Sequence, residues 1–157
     1  MSVMCLKETS SLSCKSPQTP GNPTSIRVLV VEDFEPFRRF TSCTITKEPG
    51  FQVVGEAADG ADAVKKALEL KPDLLVIDIG LPTLNGIEAA KKIRLNSPAC
   101  KILFLTSNDD PEIAEEAFGA GADGYVIKID ATRELRAALE ATMLGKRYVS
   151  KRLARVM

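Results

Sequence analysis

The chain of 157 residues is 45% hydrophobic and 27% charged, and its 21 Lys and Arg side chains balance 21 Asp and Glu side chains. These values predict one compact domain with terminal tails, and a net charge of zero offers no general attraction for the phosphates of a nucleic acid. No apolar run approaches the roughly 20 residues that cross a bilayer. We therefore expect a cytoplasmic protein that binds no membrane and makes no direct contact with nucleic acid through this chain.

Residues 1–25 are rich in Ser, Thr and Pro and offer little that could build a core, so they predict a disordered N-terminal tail. From Ile26 onwards, short β-branched runs alternate with segments of helical periodicity as far as about residue 145. Such short apolar runs are typical of strands buried on both faces of a sheet. The predicted strands cover residues 26–31, 51–57, 74–77, 102–105 and 125–127.

Five helices are predicted, one after each strand. Phe34, Phe37 and Phe40 recur at helical spacing and mark the core-facing side of the first helix. Asp59 and Asp130 stand where N-caps are expected, ahead of the second and the last helix. The third and fourth helices are predicted over 87–95 and 111–118, and the last one ends near residue 144.

Five strand-then-helix units in one short chain predict an α/β fold, in which helices cover both faces of a doubly wound parallel sheet. In open sheets of this kind, ligands bind outside the carboxyl ends of the strands, where the strand order reverses. The residues that directly follow the strands are therefore the ones to inspect for function.

Polar residues follow four of the five predicted strands. Glu32 and Asp33 follow the first strand, Asp78 the third, Thr106 the fourth and Lys128 the fifth. Three converging carboxylates would repel one another without a cation, and hard oxygen ligands favour Mg²⁺. A lysine ammonium and a threonine hydroxyl opposite the metal could bind phosphoryl oxygens, as in phosphoryl-transfer sites generally. The pattern thus predicts a magnesium-dependent phosphoryl site.

The motifs Val-Glu-Asp, Ile-Asp-Ile-Gly-Leu-Pro, Leu-Thr-Ser and Gly-Tyr-Val-Ile-Lys occur in this order and closely resemble those of the response regulator receiver domains of two-component systems. The resemblance covers about residues 26–145. It implies a flavodoxin-like sheet of five strands in the order 2-1-3-4-5, with five helices. It also implies a signalling module that switches an interaction surface and catalyses only its own phosphorylation and dephosphorylation.

The resemblance implies a phosphoacceptor and three further roles in the site. Asp78 is the implied phosphoacceptor. A sensor histidine kinase, or a small donor such as acetyl phosphate, supplies the phosphoryl group. In the implied switch, the Thr106 hydroxyl moves towards the phosphoryl group and the Tyr125 ring enters the vacated space. The full implied set is Glu32, Asp33, Asp78 and the Gly80 backbone carbonyl for Mg²⁺, Thr106 and Lys128 for the phosphoryl group, and Thr106 and Tyr125 for the switch.

Residues 145–150, Gly-Lys-Arg-Tyr-Val-Ser, resemble the linker that follows receivers of NarL/FixJ-type transcription regulators, which continue into a helix-turn-helix domain. We therefore interpret residues 146–157 as a linker-like extension of the domain at 26–145, without that output domain. Either a single-domain regulator or a piece of a longer transcription regulator fits this sequence. The resemblance further implies a homodimer through the fourth helix, fifth strand and fifth helix.

The chain departs from the family pattern at three positions. Ile129 stands where proline, in a cis peptide, usually follows the lysine, so we expect a trans bond there. Glu32 replaces the commoner Asp, which lengthens the reach to a metal. Gly80 leaves open space beside Asp78 through which water could reach an acyl phosphate.

Three other kinds of protein are alternatives to a receiver. An FMN-binding flavodoxin-like protein shares the sheet, but Glu32 and Asp33 would repel the cofactor's phosphate. A haloacid-dehalogenase-like phosphatase needs a second carboxylate two residues after the nucleophile, where Gly80 stands. A pseudo-receiver, an interaction module that does not use phosphate, would keep the fold and remains an alternative to be tested.

Overall fold

The computed structural model describes residues 25–157, which form six strands and six α-helices. The predicted N-terminal tail, apart from Ser25, lies outside the described residues. The strands are β1 (Ile26–Val31), β2 (Phe51–Ala57), β3 (Leu74–Ile77), β4 (Lys101–Thr106), β5 (Gly124–Ile127) and β6 (Tyr148–Val149). The helices are α1 (Glu35–Thr46), α2 (Gly60–Leu70), α3 (Gly86–Asn96), α4 (Pro111–Gly119), α5 (Ala131–Met143) and α6 (Lys151–Ala154), and a 3-10 turn (Lys128–Asp130) joins β5 to α5.

The strands form one sheet in the order β2-β1-β3-β4-β5-β6, and every neighbouring pair is parallel. The α/β class and the order of the first five strands are confirmed. The prediction of only five strands and five helices is wrong, because β6 and α6 extend the fold beyond the fifth unit. Two residues of strand and four of helix are too short to produce a recognisable periodicity in the sequence.

The two faces of the sheet carry separate hydrophobic clusters because successive side chains of a strand point to opposite faces. Leu29 and Val31 of β1 face the cluster built with α2, α3 and α4. Val28 and Val30 of the same strand face the cluster built with α1 and α5. Helices thus cover both faces of the sheet, as predicted.

Helix caps are only partly as predicted. Asp59 caps α2, since its side chain accepts a hydrogen bond of 2.7 Å from the Asp62 N–H. Asp130 precedes α5, but its side chain accepts no capping hydrogen bond and instead binds two arginines. The prediction that Phe34 faces the core is also wrong. Its side chain is 62% exposed, because Phe34 lies just ahead of α1 rather than on the buried face of the helix.

Within residues 25–157, no helix combines the length and the apolar character needed to cross a membrane.

Candidate functional site at the carboxyl ends of the strands

The three predicted carboxylates lie together at the reversal of strand order. Glu32 and Asp33 directly follow β1, and Asp78 directly follows the neighbouring strand β3. Each contributes one oxygen atom to a group in which all three oxygens lie within 4.8 Å of one another. Glu32 and Asp78 are buried, whereas Asp33 is exposed. This set of oxygen ligands fits a hard divalent cation such as Mg²⁺.

Lys128 joins two of these carboxylates. Its Nζ atom lies 2.7 Å from Oε1 of Glu32 and 2.9 Å from Oδ2 of Asp78. Burial disfavours the charged ammonium, but the hydrogen bonds to the two carboxylates outweigh it and raise the pKa of Lys128. Burial also raises the pKa of Glu32, against the hydrogen bond from Lys128. One positive charge is therefore shared between two of the three carboxylates, Glu32 and Asp78.

The backbone around Asp78 is fixed by its own loop and by α3. Oδ1 of Asp78 accepts a 2.7 Å hydrogen bond from the Ile79 N–H, and Gly86 donates its N–H to the Ile79 carbonyl at 2.8 Å. A Cβ atom on Gly86 would lie only 1.9 Å from the Asp78 carbonyl oxygen. On the other side, a Cβ on Gly80 would meet no heavy atom within 4 Å. This is the open space that the sequence predicts beside Asp78.

Phe37 is a site residue that the sequence reasoning missed. The Lys128 ammonium lies 4.8 Å from the centroid of the Phe37 ring, which projects from α1. A cation over an aromatic face is attracted by the ring's quadrupole. The signal in the sequence is the aromatic stripe of α1, and that stripe predicts only core packing. The ring instead borders both the core and the lysine.

Thr106 and Tyr125 are linked through Asn108, a residue that the sequence did not single out. The Thr106 hydroxyl oxygen accepts a hydrogen bond from the Asn108 N–H at 3.3 Å, and the Tyr125 hydroxyl donates to the Asn108 carbonyl at 2.7 Å. The Tyr125 ring is already fully buried between Phe104 and Phe118. Burial, reinforced by the charge of Asp78, raises the pKa of Tyr125, so its hydroxyl stays protonated.

The peptide bond between Lys128 and Ile129 is trans, as predicted, like every other bond among the described residues. Glu32, Asp33, Asp78 and Lys128 thus form one group at the carboxyl edge. Thr106 ends the neighbouring strand β4, where its hydroxyl is bonded to the Asn108 N–H rather than to an acidic residue. Gly80 is exposed two residues after Asp78, and its carbonyl remains a predicted ligand.

The model of the response regulator receiver domain matches residues 28–140. This chain belongs to that family. The receiver is 35% identical over 129 residues to the response regulator GacA of Pseudomonas viridiflava, and 35% identical over 122 residues to VraR of Staphylococcus aureus. These matches cover 82% and 78% of the receiver chain but 60% and 58% of the relatives, so the chain spans about three fifths of their length.

Solved receiver structures give the same result. A LuxR-family two-component response regulator from an Aurantimonas species superposes with a TM-score of 0.80 at 38% identity, over 83% of this chain and 94% of the other. The response regulator domain of Thermotoga maritima CheB gives 0.70 at 34% identity, over 76% and 97%. The relatives and neighbours include NarL- and LuxR-type regulators, which supports the predicted NarL/FixJ-type assignment. Receiver domains are signalling modules rather than general enzymes.

Proposed function

We propose that this receiver accepts a phosphoryl group on Asp78 and passes the change to an interaction surface. The observation that carries the proposal is the position of Lys128, whose ammonium bridges Asp78 and Glu32 beside Asp33 at the carboxyl edge of the sheet. We assign the activity to a domain over residues 26–145, with a tail at 1–25 and an extension at 146–157.

In the proposed reaction, a carboxylate oxygen of Asp78 forms a bond to the donor's phosphorus as the bond from phosphorus to the leaving atom breaks. The product is an acyl phosphate; acetyl phosphate releases acetate, whereas the leaving nitrogen of a phosphohistidine takes up a proton from water. Lys128 already lies 2.9 Å from Asp78, so it is placed to neutralise charge that develops on the phosphoryl oxygens. Apart from its own phosphorylation and dephosphorylation, we expect the protein to catalyse no reaction.

Glu32, Asp33 and Asp78, with the Gly80 carbonyl, are the residues we propose to hold Mg²⁺. When bound, the ion would neutralise phosphoryl charge and balance the surplus of carboxylates. The burial of Glu32 and its hydrogen bond from Lys128 leave the exposed Asp33 as the most accessible carboxylate of the three.

For the switch, we propose that Thr106 turns its hydroxyl towards the new phosphoryl oxygens and gives up the Asn108 N–H. The loop after β4 then loses one of its two links, and the other, from the Tyr125 hydroxyl, must adjust. Because the Tyr125 ring is already inside, the expected change is a new partner for its hydroxyl and a shift of α4 rather than entry of the ring from solvent.

As partners we propose a sensor histidine kinase, with small phosphodonors as an alternative source, and a second copy of the chain through α4, β5 and α5. We place the protein in the cytoplasm, where these donors occur. The relatives are longer than this chain, and transcription regulation by a longer form belongs to the proposal. No direct contact between this chain and nucleic acid is proposed.

Intact-mass spectrometry after incubation with Mg²⁺ and acetyl phosphate tests the phosphoacceptor. We expect one phosphoryl adduct on the wild type, and none on Asp78→Asn or without Mg²⁺. Asp62→Asn is a matched control, because that carboxylate lies on α2 in an ion pair with Lys66, and it should keep the adduct. Absence of an adduct with both acetyl phosphate and a phosphohistidine donor would replace the proposal with a pseudo-receiver that does not use phosphate.

A further inference from the structure

The outer edge of β5 is covered by residues 146–157, which we call the C-terminal arm. Within the arm, β6 pairs in parallel with β5, joining Gly124 to Tyr148 and Tyr125 to Val149. The Tyr148 N–H donates to the Asp123 carbonyl at 3.2 Å, and the Ser150 N–H donates to the Tyr125 carbonyl at 2.9 Å. The arm therefore satisfies main-chain groups that an edge strand would otherwise present to solvent.

Ser150 makes two hydrogen bonds to the outer edge of β5. Its hydroxyl oxygen accepts a hydrogen bond of 2.8 Å from the Ile127 N–H, and the residue has no exposed surface. Tyr125 and Ile127 of β5 are thus both bonded to Ser150, one through its N–H and one through its side chain. A single residue of the arm supplies a donor and an acceptor where a further strand would otherwise supply them.

Side chains at both ends of the arm hold it in place. The Arg147 guanidinium lies 3.7 Å from the centroid of the Phe118 ring on α4. Leu153 is 1% exposed and belongs to the core cluster on the α4 side of the sheet. Arg152 makes two hydrogen bonds to Asp130, of 2.7 and 3.0 Å. This is why Asp130 does not cap α5: its two oxygens are directed to arginines instead.

Nothing in β5 itself would prevent pairing once the arm left. Its sequence, Gly-Tyr-Val-Ile, has neither a charged residue nor a proline, which are the usual blocks on an edge strand. The opposite edge, β2, is protected differently: Glu56 lies on it in an ion pair with Arg38, and the Lys66 ammonium donates to the Glu56 carbonyl. The uncharged β5 edge depends on the arm for protection.

We propose that the C-terminal arm guards the β5 edge, so that a second copy of this chain can pair through the α4, β5 and α5 face only when the arm has left it. The second copy is the expected partner because an exposed, uncharged strand edge is complementary to itself across a two-fold axis. The proposal concerns the unphosphorylated protein and does not depend on Asp78 being a phosphoacceptor.

Two substitutions in the 157-residue chain undock the arm without touching the acidic site. Ser150→Pro removes both the N–H and the hydroxyl that bind β5, and Ser150 already has a backbone φ of −49° that proline accepts. Arg152→Glu places a carboxylate against Asp130. Arg155→Glu makes the same charge change on an exposed residue of the arm and is the matched control.

Hydrogen exchange at a concentration at which the chains are monomeric, and sedimentation over a range of higher concentrations, both without phosphodonor, test the proposal together. In the double variant Ser150→Pro/Arg152→Glu we expect faster exchange of the Ile127 amide and a dimer dissociation constant lower by about tenfold or more, which corresponds to about 1.4 kcal/mol of lost arm docking. The wild type and Arg155→Glu should keep the slow amide and remain more monomeric.

Either of two results would overturn the proposal. One is a folded double variant whose Ile127 amide exchanges fast while its dimerisation matches the wild type, because the edge would then need no guard. The other is an Ile127 amide that stays protected in the monomeric double variant, because something other than these arm contacts would then cover the β5 edge. Circular dichroism of each chain establishes that it is folded, and the acetyl phosphate reaction is assayed separately.

Discussion

Phe37 is the residue whose substitution tests how Lys128 is held. Phe37→Leu keeps an apolar side chain on α1 but removes the aromatic face that lies 4.8 Å from the ammonium. Loss of a partly buried cation–π contact costs about 0.5–2 kcal/mol, so phosphorylation by acetyl phosphate should slow by about two- to thirtyfold. The rate at which the phosphoryl adduct forms, followed by intact-mass spectrometry, measures this effect.

The matched control is Phe40→Leu, because the centroid of the Phe40 ring lies 5.3 Å from that of Phe37 in the same cluster. Within residues 25–157, the aromatic ring over the Lys128 ammonium is that of Phe37 and not that of Phe40. Phe40→Leu should lose stability without a comparable loss of rate. Equal rates for Phe37→Leu and the wild type, at equal stability, would mean that the two carboxylates alone position Lys128.

Cys100 offers a prediction about pH. It is a buried free thiol, and burial raises its pKa to about 11. Only the thiolate reacts with iodoacetamide, and at pH 8 a pKa of 11 leaves about 0.1% thiolate, against about 10% for a pKa of 9. We expect alkylation of Cys100, followed by peptide mass mapping, to be at least about 100-fold slower in the folded chain than in guanidinium.

The sign of the corresponding stability effect follows from the direction of the shift. The folded chain binds the Cys100 thiol proton more tightly than the unfolded chain does. The contribution of this thiol to the free energy of unfolding is therefore complete below its ordinary pKa of 9.0 and disappears as the pH rises through the folded pKa of about 11. Cys100→Ala should therefore remove part of the loss of stability in that range. Alkylation at the same rate in both states would show that the thiol is accessible.

At the scale of elements, Gly86 sets how closely α3 approaches the loop after Asp78. A Cβ on this residue would lie 1.9 Å from the Asp78 carbonyl oxygen and 2.9 Å from Cα of Ile79, both of which are main-chain atoms that cannot rotate away. Gly86→Ala should therefore lower the free energy of unfolding by about 2 kcal/mol or more. Urea denaturation measures the change.

Gly80→Ala is the matched control for that experiment, since a Cβ on Gly80 would meet no heavy atom within 4 Å. Its free energy of unfolding should stay within about 0.5 kcal/mol of the wild type, as for ordinary surface changes. If both variants lost the same amount, steric contact with the Asp78 backbone would not explain the effect at Gly86.

The elements differ in how far the sequence determined them. The first five strands and the acidic group were predictable because each strand is a local apolar run, and parallel strands bring their carboxyl ends to one edge. The arm was not, because β6 and α6 are stabilised by contacts with residues far along the chain, such as Ile127 and Asp130. The cap prediction for Asp130 is wrong for the same reason: its local position suits a cap, but its oxygens bind Arg152 and Arg133 instead.

The same distinction applies inside the site. Asp78 and Lys128 could be chosen from their places after strands, but Asn108 acts through its backbone, for which residue type gives no signal. Phe37 has the side chain expected of a core position, and only the packing of α1 beside the 3-10 turn brings its ring to Lys128. Residues that act through shape or main chain are thus the ones that the sequence conceals.

For the whole molecule, the acidic group predicts that metal and stability are coupled. Three carboxylates lie together and a single lysine bonds two of them, so bound Mg²⁺ should stabilise the folded chain, in which the three oxygens lie within 4.8 Å of one another, over the unfolded chain, in which they do not. At a Mg²⁺ concentration about 100 times the dissociation constant, linkage gives about 2.7 kcal/mol. We expect the Tm to rise by several degrees on addition of Mg²⁺, as measured by calorimetry.

Asp33→Asn separates this effect from a general salt effect. Without Mg²⁺ the variant should be at least as stable as the wild type, because one repelling charge is gone from beside Glu32 and Asp78, whereas its response to Mg²⁺ should be largely lost. Glu69→Gln, an equal charge change at an exposed position on α2, should leave the response intact. The two stability curves of wild type and Asp33→Asn should therefore cross as Mg²⁺ is added; parallel curves would place the ion elsewhere on the molecule.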